Sequence, residues 1–141
     1  MPLNFVASLQ KTVQAVIGRK PYPPTYDHAS SFARNVLDEE KHRRLSTNDS
    51  GYGVETFAAR AKSAINANEG RNQRLTTREA LTSFCGYNDI TVEIWQNKLA
   101  NISVEQLSDT INKIPEHYMS EVTKVFTLNL LSINREYLLD L

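Results

Sequence analysis

An aspartate placed directly after a proline-rich turn is the residue with the clearest chemical potential. Asp27 follows a segment with three prolines and precedes Ser30 and Ser31. A carboxylate at the end of an extended segment suits an oxygen-preferring cation such as Mg²⁺. The same pattern also suits a turn, in which aspartate and serine side chains bond to neighbouring backbone groups. The residues alone leave both interpretations open.

Phosphoryl transfer would need further groups around Asp27. The reaction requires a loop that covers the phosphates, a lysine that contacts them and a base that orients the attacking hydroxyl. The five glycines are scattered at positions 18, 51, 53, 70 and 86, and they form no glycine-rich loop. The sequence therefore indicates no complete phosphoryl-transfer site.

Three histidines and one cysteine are the other candidates for chemistry. His28, His42 and His117 are far apart in the sequence. A zinc site needs three or four converging ligands, and only Cys85 is available to add a thiolate. A catalytic cysteine needs a base and an electropositive pocket, which the residues around Cys85 do not indicate. We expect surface histidines and a cysteine in the core.

The basic cluster at residues 41–44 would form an anion site only if its charge were unopposed. Three acidic residues precede it directly. Glu39 with Arg43 and Glu40 with Arg44 have the i,i+4 spacing at which ion pairs form on a helix. We therefore expect a solvated helix face rather than a nucleic-acid patch, because phosphate contacts require unopposed positive charge.

Apolar residues at steps of three and four predict helices through most of the chain. Such patterns occupy residues 54–65, 89–99, 103–114 and 120–137, and residues 38–45 begin with acids and end with bases, the order that suits a helix macrodipole. Thr76 with Glu79 has the spacing of a capping box, and Ser103 can cap a further helix. No segment alternates convincingly enough to predict a strand. The predicted fold class is all-α, a compact bundle of about five or six helices.

The same spacing predicts which side chains are buried. They are Val54, Phe57, Ala61, Leu81, Phe84, Trp95, Leu99, Leu107, Ile111, Val122, Phe126, Leu130 and Ile133. Each follows a recognisable helix start, so we expect all of them in the core.

Residues 3–17 carry a separate amphipathic pattern. Its apolar stripe consists of Leu3, Val6, Leu9, Val13, Val16 and Ile17. Gly18 ends the pattern, and prolines at 21, 23 and 24 forbid a helical continuation. We therefore divide the chain into an amphipathic helix with its linker, residues 1–21, and a helical body, residues 22–141.

Composition and charge are those of an ordinary globular protein. The 141 residues are 40% hydrophobic and 23% charged, which fits one domain with its own core. Sixteen basic residues balance sixteen acidic ones, so the chain has no general attraction to nucleic acid. The sequence has no apolar run long enough for a membrane span, and one cysteine fits a reducing compartment. We expect a cytoplasmic protein that binds neither nucleic acid nor membranes.

Five segments, taken in order, resemble one protein family. They are the run Thr25-Tyr26-Asp27-His28-Ala29-Ser30-Ser31 and residues 38–45, 52–65, 114–120 and 126–139. Together they are similar to the helical C-terminal part of HipA-like serine/threonine kinases of toxin–antitoxin modules, over residues 22–141. The resemblance implies a family that uses ATP and Mg²⁺, in which Asp27 corresponds to the aspartate that holds Mg²⁺ against the ATP phosphates.

The resemblance also implies a catalytic loop, Asn-x-Asp-x-His-x-x-Asn, roughly two dozen residues ahead of Asp27. Residues 1–26 contain no aspartate and no histidine. We therefore expect a partial kinase segment that has no catalytic residue, no cofactor and no kinase activity by itself. Asp27 would be a vestigial Mg²⁺ position.

Three functions follow as alternatives. The chain is a partial HipA-like kinase segment, a non-catalytic helical module that binds protein through an apolar face, or a small unrelated enzyme. The third needs an acid–base or nucleophile pair, which these residues do not supply. We expect a protein partner or self-association, with the stripe in residues 3–17 packed against the body or a second subunit.

Overall fold

Helices and one short hairpin make up the part of the chain that the structure describes. The computed structural model describes residues 32–66, 73–86 and 89–141, so the predicted segment 1–21 and Asp27 lie outside it. The elements are α1 (Asp38–Ser46), α2 (Val54–Arg60), β1 (Lys62–Asn66), β2 (Arg74–Thr76), α3 (Thr77–Cys85), α4 (Asp89–Ala100), α5 (Val104–Asn112) and α6 (Glu121–Leu139). The predicted helical class is confirmed for these residues, with the hairpin in addition.

Helix α6 is the element against which most others pack. It contacts α1, α2, α4 and α5. Its 19 residues give it a length of about 28 Å. The Ser120 side chain accepts a hydrogen bond from the Thr123 amide and so starts the helix where the sequence predicted.

The core lies between the N-terminal half of α6 and helices α1 and α2. Phe126 has no exposed surface, and its ring meets the edge of Phe57 at 5.4 Å between centroids and an interplanar angle of 77°. Ala33, Val54, Ala58 and Leu130 are buried around it, with Val36, Leu45 and Ile133 at the margin. Edge-to-face contact adds to the burial of both rings.

Two helix starts follow the sequence prediction closely. At α3 the Glu79 carboxylate accepts from the Thr76 amide at 2.7 Å, and the Glu79 amide donates to the Thr76 hydroxyl at 3.1 Å. At α5, Ser103 and Gln106 form the same reciprocal pair. Both are capping boxes, which satisfy the unpaired amides of the first helical turn.

The hairpin contradicts two predictions, namely that residues 54–65 form one helix and that no segment forms a strand. The strands are antiparallel. Lys62 lies opposite Thr76 and Asn66 lies opposite Arg74, and the register shifts between these two pairs. The Thr77 amide donates to the Ala61 carbonyl at 2.8 Å, and Ala61 itself is exposed and extended. The predicted helix over 54–65 is therefore wrong beyond Arg60, because the amide of Thr77, at the start of α3, supplies the backbone partner that a further helical turn would have used.

The predicted core is confirmed in part. Val54, Ile111, Phe126 and Leu130 are buried, while Phe57, Leu81, Leu99, Leu107, Val122 and Ile133 are half-buried. The side chain of Phe84 lies outside the described residues. The prediction is wrong for Ala61, for the reason just given, and for Trp95, which is 63% exposed.

Replacing Phe126 should destabilise the fold far more than replacing its neighbour. We expect Phe126→Ala to lower the free energy of unfolding by about 3–5 kcal/mol, because it leaves a cavity between three helices. Val125 is 48% exposed on the same helix, so Val125→Ala should change the stability by about 0.5 kcal/mol or less. Urea denaturation followed by circular dichroism measures both, and equal effects would contradict the described core.

Candidate functional site

A buried lysine joins α1 to the start of α6. Lys41 is 3% exposed, and its ammonium donates to the Thr123 hydroxyl at 2.7 Å and to the Asp38 carboxylate at 3.3 Å. The Thr123 hydroxyl donates to Asp38 at 2.9 Å and accepts from Ser120 at 3.0 Å. All hydrogen-bonding capacity of that hydroxyl is used. The predicted solvated face is wrong for Lys41, because its partner comes from a helix 82 residues away.

The remaining charges of α1 also serve packing. Arg44 donates to Glu40 at 2.8 Å and lies 4.4 Å from the centroid of the Tyr52 ring. The i,i+4 pair between Glu40 and Arg44 is thus confirmed, whereas Arg43 pairs with Glu40 at 3.7 Å rather than with Glu39. The Tyr52 hydroxyl donates to Glu40 and is the main cause that lowers the pKa of this carboxyl.

A polar cleft of about 520 Å³ opens beside Lys41. Its wall includes Arg34, Glu116, His117 and Tyr118, all of which are exposed. The ammonium of Lys41, the buried cation in this wall, is already bonded to Thr123 and Asp38. A ligand in the cleft would therefore meet solvent-exposed charged side chains. We therefore assign the residues around Lys41 a structural role.

A second cavity, an apolar groove, lies between α3, α4 and the C-terminal end of α6. It encloses about 270 Å³ and is lined by Leu81, Cys85, Thr91, Val92, Trp95, Gln96, Leu99, Leu138 and Leu141. Seven of these nine side chains are apolar or a thiol, which is the character of a surface that binds another apolar surface.

Polar contacts hold the walls of the groove in place. The Gln96 amide donates to the Leu138 carbonyl at 3.1 Å and so fixes α4 to α6. On α3, the Thr82 hydroxyl bonds the Tyr137 hydroxyl at 2.9 Å, and the Arg78 guanidinium lies 4.3 Å from the centroid of the same ring. These contacts fix α3 and α4 on either side of the C-terminal turns of α6.

A further contact supplies hydrogen bonds to the backbone carbonyl groups at the C-terminal end of α4. Arg135, on α6, donates to the Ile102 carbonyl at 2.9 Å and to the Ala100 carbonyl at 3.3 Å. A guanidinium suits this position because the last carbonyls of a helix lack intrahelical partners and carry partial negative charge. Directional polar bonds thus set the separation of the helices, and the apolar side chains between them remain open to solvent.

Trp95 lies at the edge of this groove and corrects the prediction that it is buried. The Lys98 ammonium sits 4.6 Å from its ring centroid. Ile90 and Ile94, on the other side of α4, are 73% and 50% exposed. Only one face of α4 can pack on α6, so a helix that is apolar on several faces must expose some of them. Helical spacing in the sequence places Trp95 in the core. The presence of apolar residues on several faces of this helix is the signal that could have indicated an exposed surface instead.

The residues predicted to carry chemistry do not come together in the described part of the chain. Asp27 and His28 lie outside it, and His42 and His117 are exposed. Cys85 is half-buried in the groove wall rather than in the core. Within residues 32–66, 73–86 and 89–141, no three His, Cys, Asp or Glu side chains are grouped so that they could hold a metal ion.

Comparison with known proteins adds no family. No protein-family model, no curated protein and no solved structure matches the chain. Among the described helices, none combines the length and the apolarity needed to cross a membrane.

The contribution of Asp38 to stability should depend on pH. The nearby hydroxyls of Ser120 and Thr123, and then the Lys41 ammonium, lower the pKa of Asp38. A lowered carboxyl pKa stabilises the fold above about pH 3.9, and this contribution is lost as the pH falls through the pKa of the folded state.

We therefore expect Asp38→Asn to reduce the free energy of unfolding at pH 7, and the difference from wild type to shrink as the pH approaches about 2.5. Asp109→Asn, which removes an exposed carboxylate from α5, is the control for surface charge. A difference for Asp38→Asn that stays constant over this range would contradict the assigned hydrogen bonds.

Proposed function

We propose that the chain is a non-catalytic helical module that binds an amphipathic, basic helix of a protein in the groove between α3, α4 and α6. The observation that carries this proposal is the exposure of Trp95 at the edge of an apolar groove. Tryptophan is enriched among the residues that dominate protein–protein binding energy. An amphipathic helix that lays its apolar face into an apolar groove is a recurring mode of recognition.

The net charge of the body favours a partner with basic side chains. Residues 1–26 contain three basic and no acidic side chains, so residues 27–141 carry sixteen acids against thirteen bases. A net negative body attracts a positively charged helix and favours its encounter with the groove. The apolar contacts would then supply most of the affinity.

A labelled model helix of leucine and lysine, with its leucines on one face, tests this function. We expect its fluorescence anisotropy to rise on addition of full-length Leu9→Asp/Val13→Asp, in which the chain's own amphipathic stripe is interrupted and does not compete for the groove. A peptide of the same composition in scrambled order should bind weakly, and Trp95→Ala and Ile90→Ala are compared in the same background. Trp95→Ala should weaken binding by about tenfold or more, as expected for a central aromatic contact. Ile90→Ala, on the opposite side of α4, is the matched control and should leave the affinity unchanged.

Equal binding of the helical and the scrambled peptide would contradict this function. So would an equal loss of affinity in both variants, because a general apolar attraction would not distinguish the groove from the rest of α4.

A second candidate function is the one implied by the resemblance to HipA-like kinases. Three of the segments that carry it overlap α1, α2 and α6, and these helices pack together around Phe126. Their joint packing supports the proposal that the segments belong to one scaffold. On this view the chain is a partial kinase segment, and its groove is a surface that the rest of a kinase or another protein would cover.

For this candidate we predict no kinase activity above background. Phosphoryl transfer depends on positioning and charge stabilisation, and the catalytic loop that the family uses has no counterpart in residues 1–26. Incubation of the purified chain with labelled ATP and Mg²⁺ measures both hydrolysis and self-phosphorylation. Transfer that disappears in Asp27→Ala would contradict this prediction, with Asp49→Ala as the control carboxylate.

A further inference from the structure

We propose that the groove is occupied by the chain's own N-terminal segment, residues 3–17, docked as an amphipathic helix within the same molecule. This inference rests on the proposed function, because it names the helix that the groove binds. Three observations carry it: the apolar pattern of the segment, its charge, and the length of the chain that connects it to the described body.

The pattern of the segment matches what the groove requires. Its six apolar residues recur at steps of three and four, so on a helix of 15 residues they would form one stripe about 22 Å long. The groove offers Leu81, Val92, Leu99 and Leu138 with Trp95 at the edge. A single stripe laid along these residues would bury both apolar surfaces.

The N-terminal part of the chain and the body carry net charges of opposite sign. Lys11 is the one charged residue within the segment, Arg19 and Lys20 follow it, and residues 1–26 contain no acid. Residues 27–141 have an excess of three acids. Attraction between the two parts brings the segment to the body, while the stripe determines where it binds.

The connecting chain is long enough to reach the groove. Phe32 lines the same cleft as Ser120 and Thr123, so the described chain begins beside the N-terminal end of α6. The groove lies at the other end, beside Leu138, about 28 Å away along this helix. Fourteen residues, the number from 18 to 31, would reach about 43 Å if they took the polyproline rise of about 3.1 Å per residue.

Tethering favours the segment of the same molecule over a second copy. A linker that spans the sites gives an effective concentration in the millimolar range. A protein in solution at micromolar concentration offers a second copy at a far lower concentration. We therefore assign the groove to the segment of the same chain, and docking between two copies is an outcome that the experiment separates.

Trp95 is the single tryptophan of the chain and reports directly on the groove. In the full-length double variant Leu9→Asp/Val13→Asp, we expect its emission to shift to the red and its quenching by iodide to increase several-fold relative to wild type. Ser8→Asp places one negative charge on the opposite face of the predicted helix and should leave both the emission and the quenching unchanged. A synthetic peptide of residues 1–18, added to the double variant, should reverse the change.

Cys85, the single cysteine, lies in the groove wall and provides a second readout that does not depend on fluorescence. In full-length Val13→Cys, we expect a short bis-maleimide to link the two thiols within one molecule, as shown by monomer mass and by the cross-linked peptide. Ser8→Cys should link much less. A link that forms mainly between two molecules and disappears on dilution would overturn the intrachain assignment and give the groove to a second copy.

The failure of this inference and the failure of the proposed function give different results. Suppose the leucine–lysine helix binds but Trp95 responds equally to Leu9→Asp/Val13→Asp and to Ser8→Asp. The groove then binds helices and its own segment is not the occupant. The opposite case is that the leucine–lysine helix does not bind the double variant, in which the groove would be free. The proposed function then fails together with this inference.

Discussion

Burial of Phe126 is the interaction on which the described structure depends. Its ring is fully enclosed where α1, α2 and α6 meet, and the small side chains of Ala33 and Ala58 allow the chain to approach it closely. Ala33 reaches this position with a φ of 56°, a left-handed conformation that costs an alanine about 1 kcal/mol. The burial of the aromatic ring outweighs this cost, because a fully buried phenylalanine contributes about 1.5–3 kcal/mol.

Different interactions hold the two ends of α6 in place. Its N-terminal half is held by apolar burial and by the fully paired Lys41, whose ammonium could not remain buried without Thr123 and Asp38. Its C-terminal half is held by directional bonds from Gln96 and Arg135. Directional bonds fix helices without closing the space between them. For this reason the N-terminal half of α6 belongs to the core, whereas a groove lies beside its C-terminal end.

The sequence predicts the local features of this fold well. The capping boxes at Thr76 and Ser103 and the start of α6 depend on residues within one turn of each other, so spacing is enough to find them. Phe126 and Leu130 follow from helical periodicity for the same reason. These features need no knowledge of how the helices pack.

The predictions that the structure contradicts concern features that depend on residues distant in the sequence. Ala61 leaves the helix because its carbonyl accepts a hydrogen bond from the Thr77 amide. Lys41 is buried because the Thr123 hydroxyl accepts a hydrogen bond from its ammonium. Trp95 is exposed because α6 can cover only one face of α4. Helical spacing assigns Trp95 and Leu99 to the core, so it misses the groove, whose place on the surface depends on the packing of three helices. Asp27, the residue with the clearest chemical potential, lies outside the described residues and keeps its predicted role as a Mg²⁺ position only by resemblance.

Residue-resolved hydrogen exchange tests the central claim most directly, namely that α6 joins a self-sufficient core to a groove completed by another helix. Wild type and full-length Leu9→Asp/Val13→Asp are compared under native conditions. The account predicts that exchange accelerates in α3, α4 and the last turns of α6, while amides around Phe126 and Leu130 keep their protection. Acceleration around Phe126, or no difference at either end of α6, would contradict it.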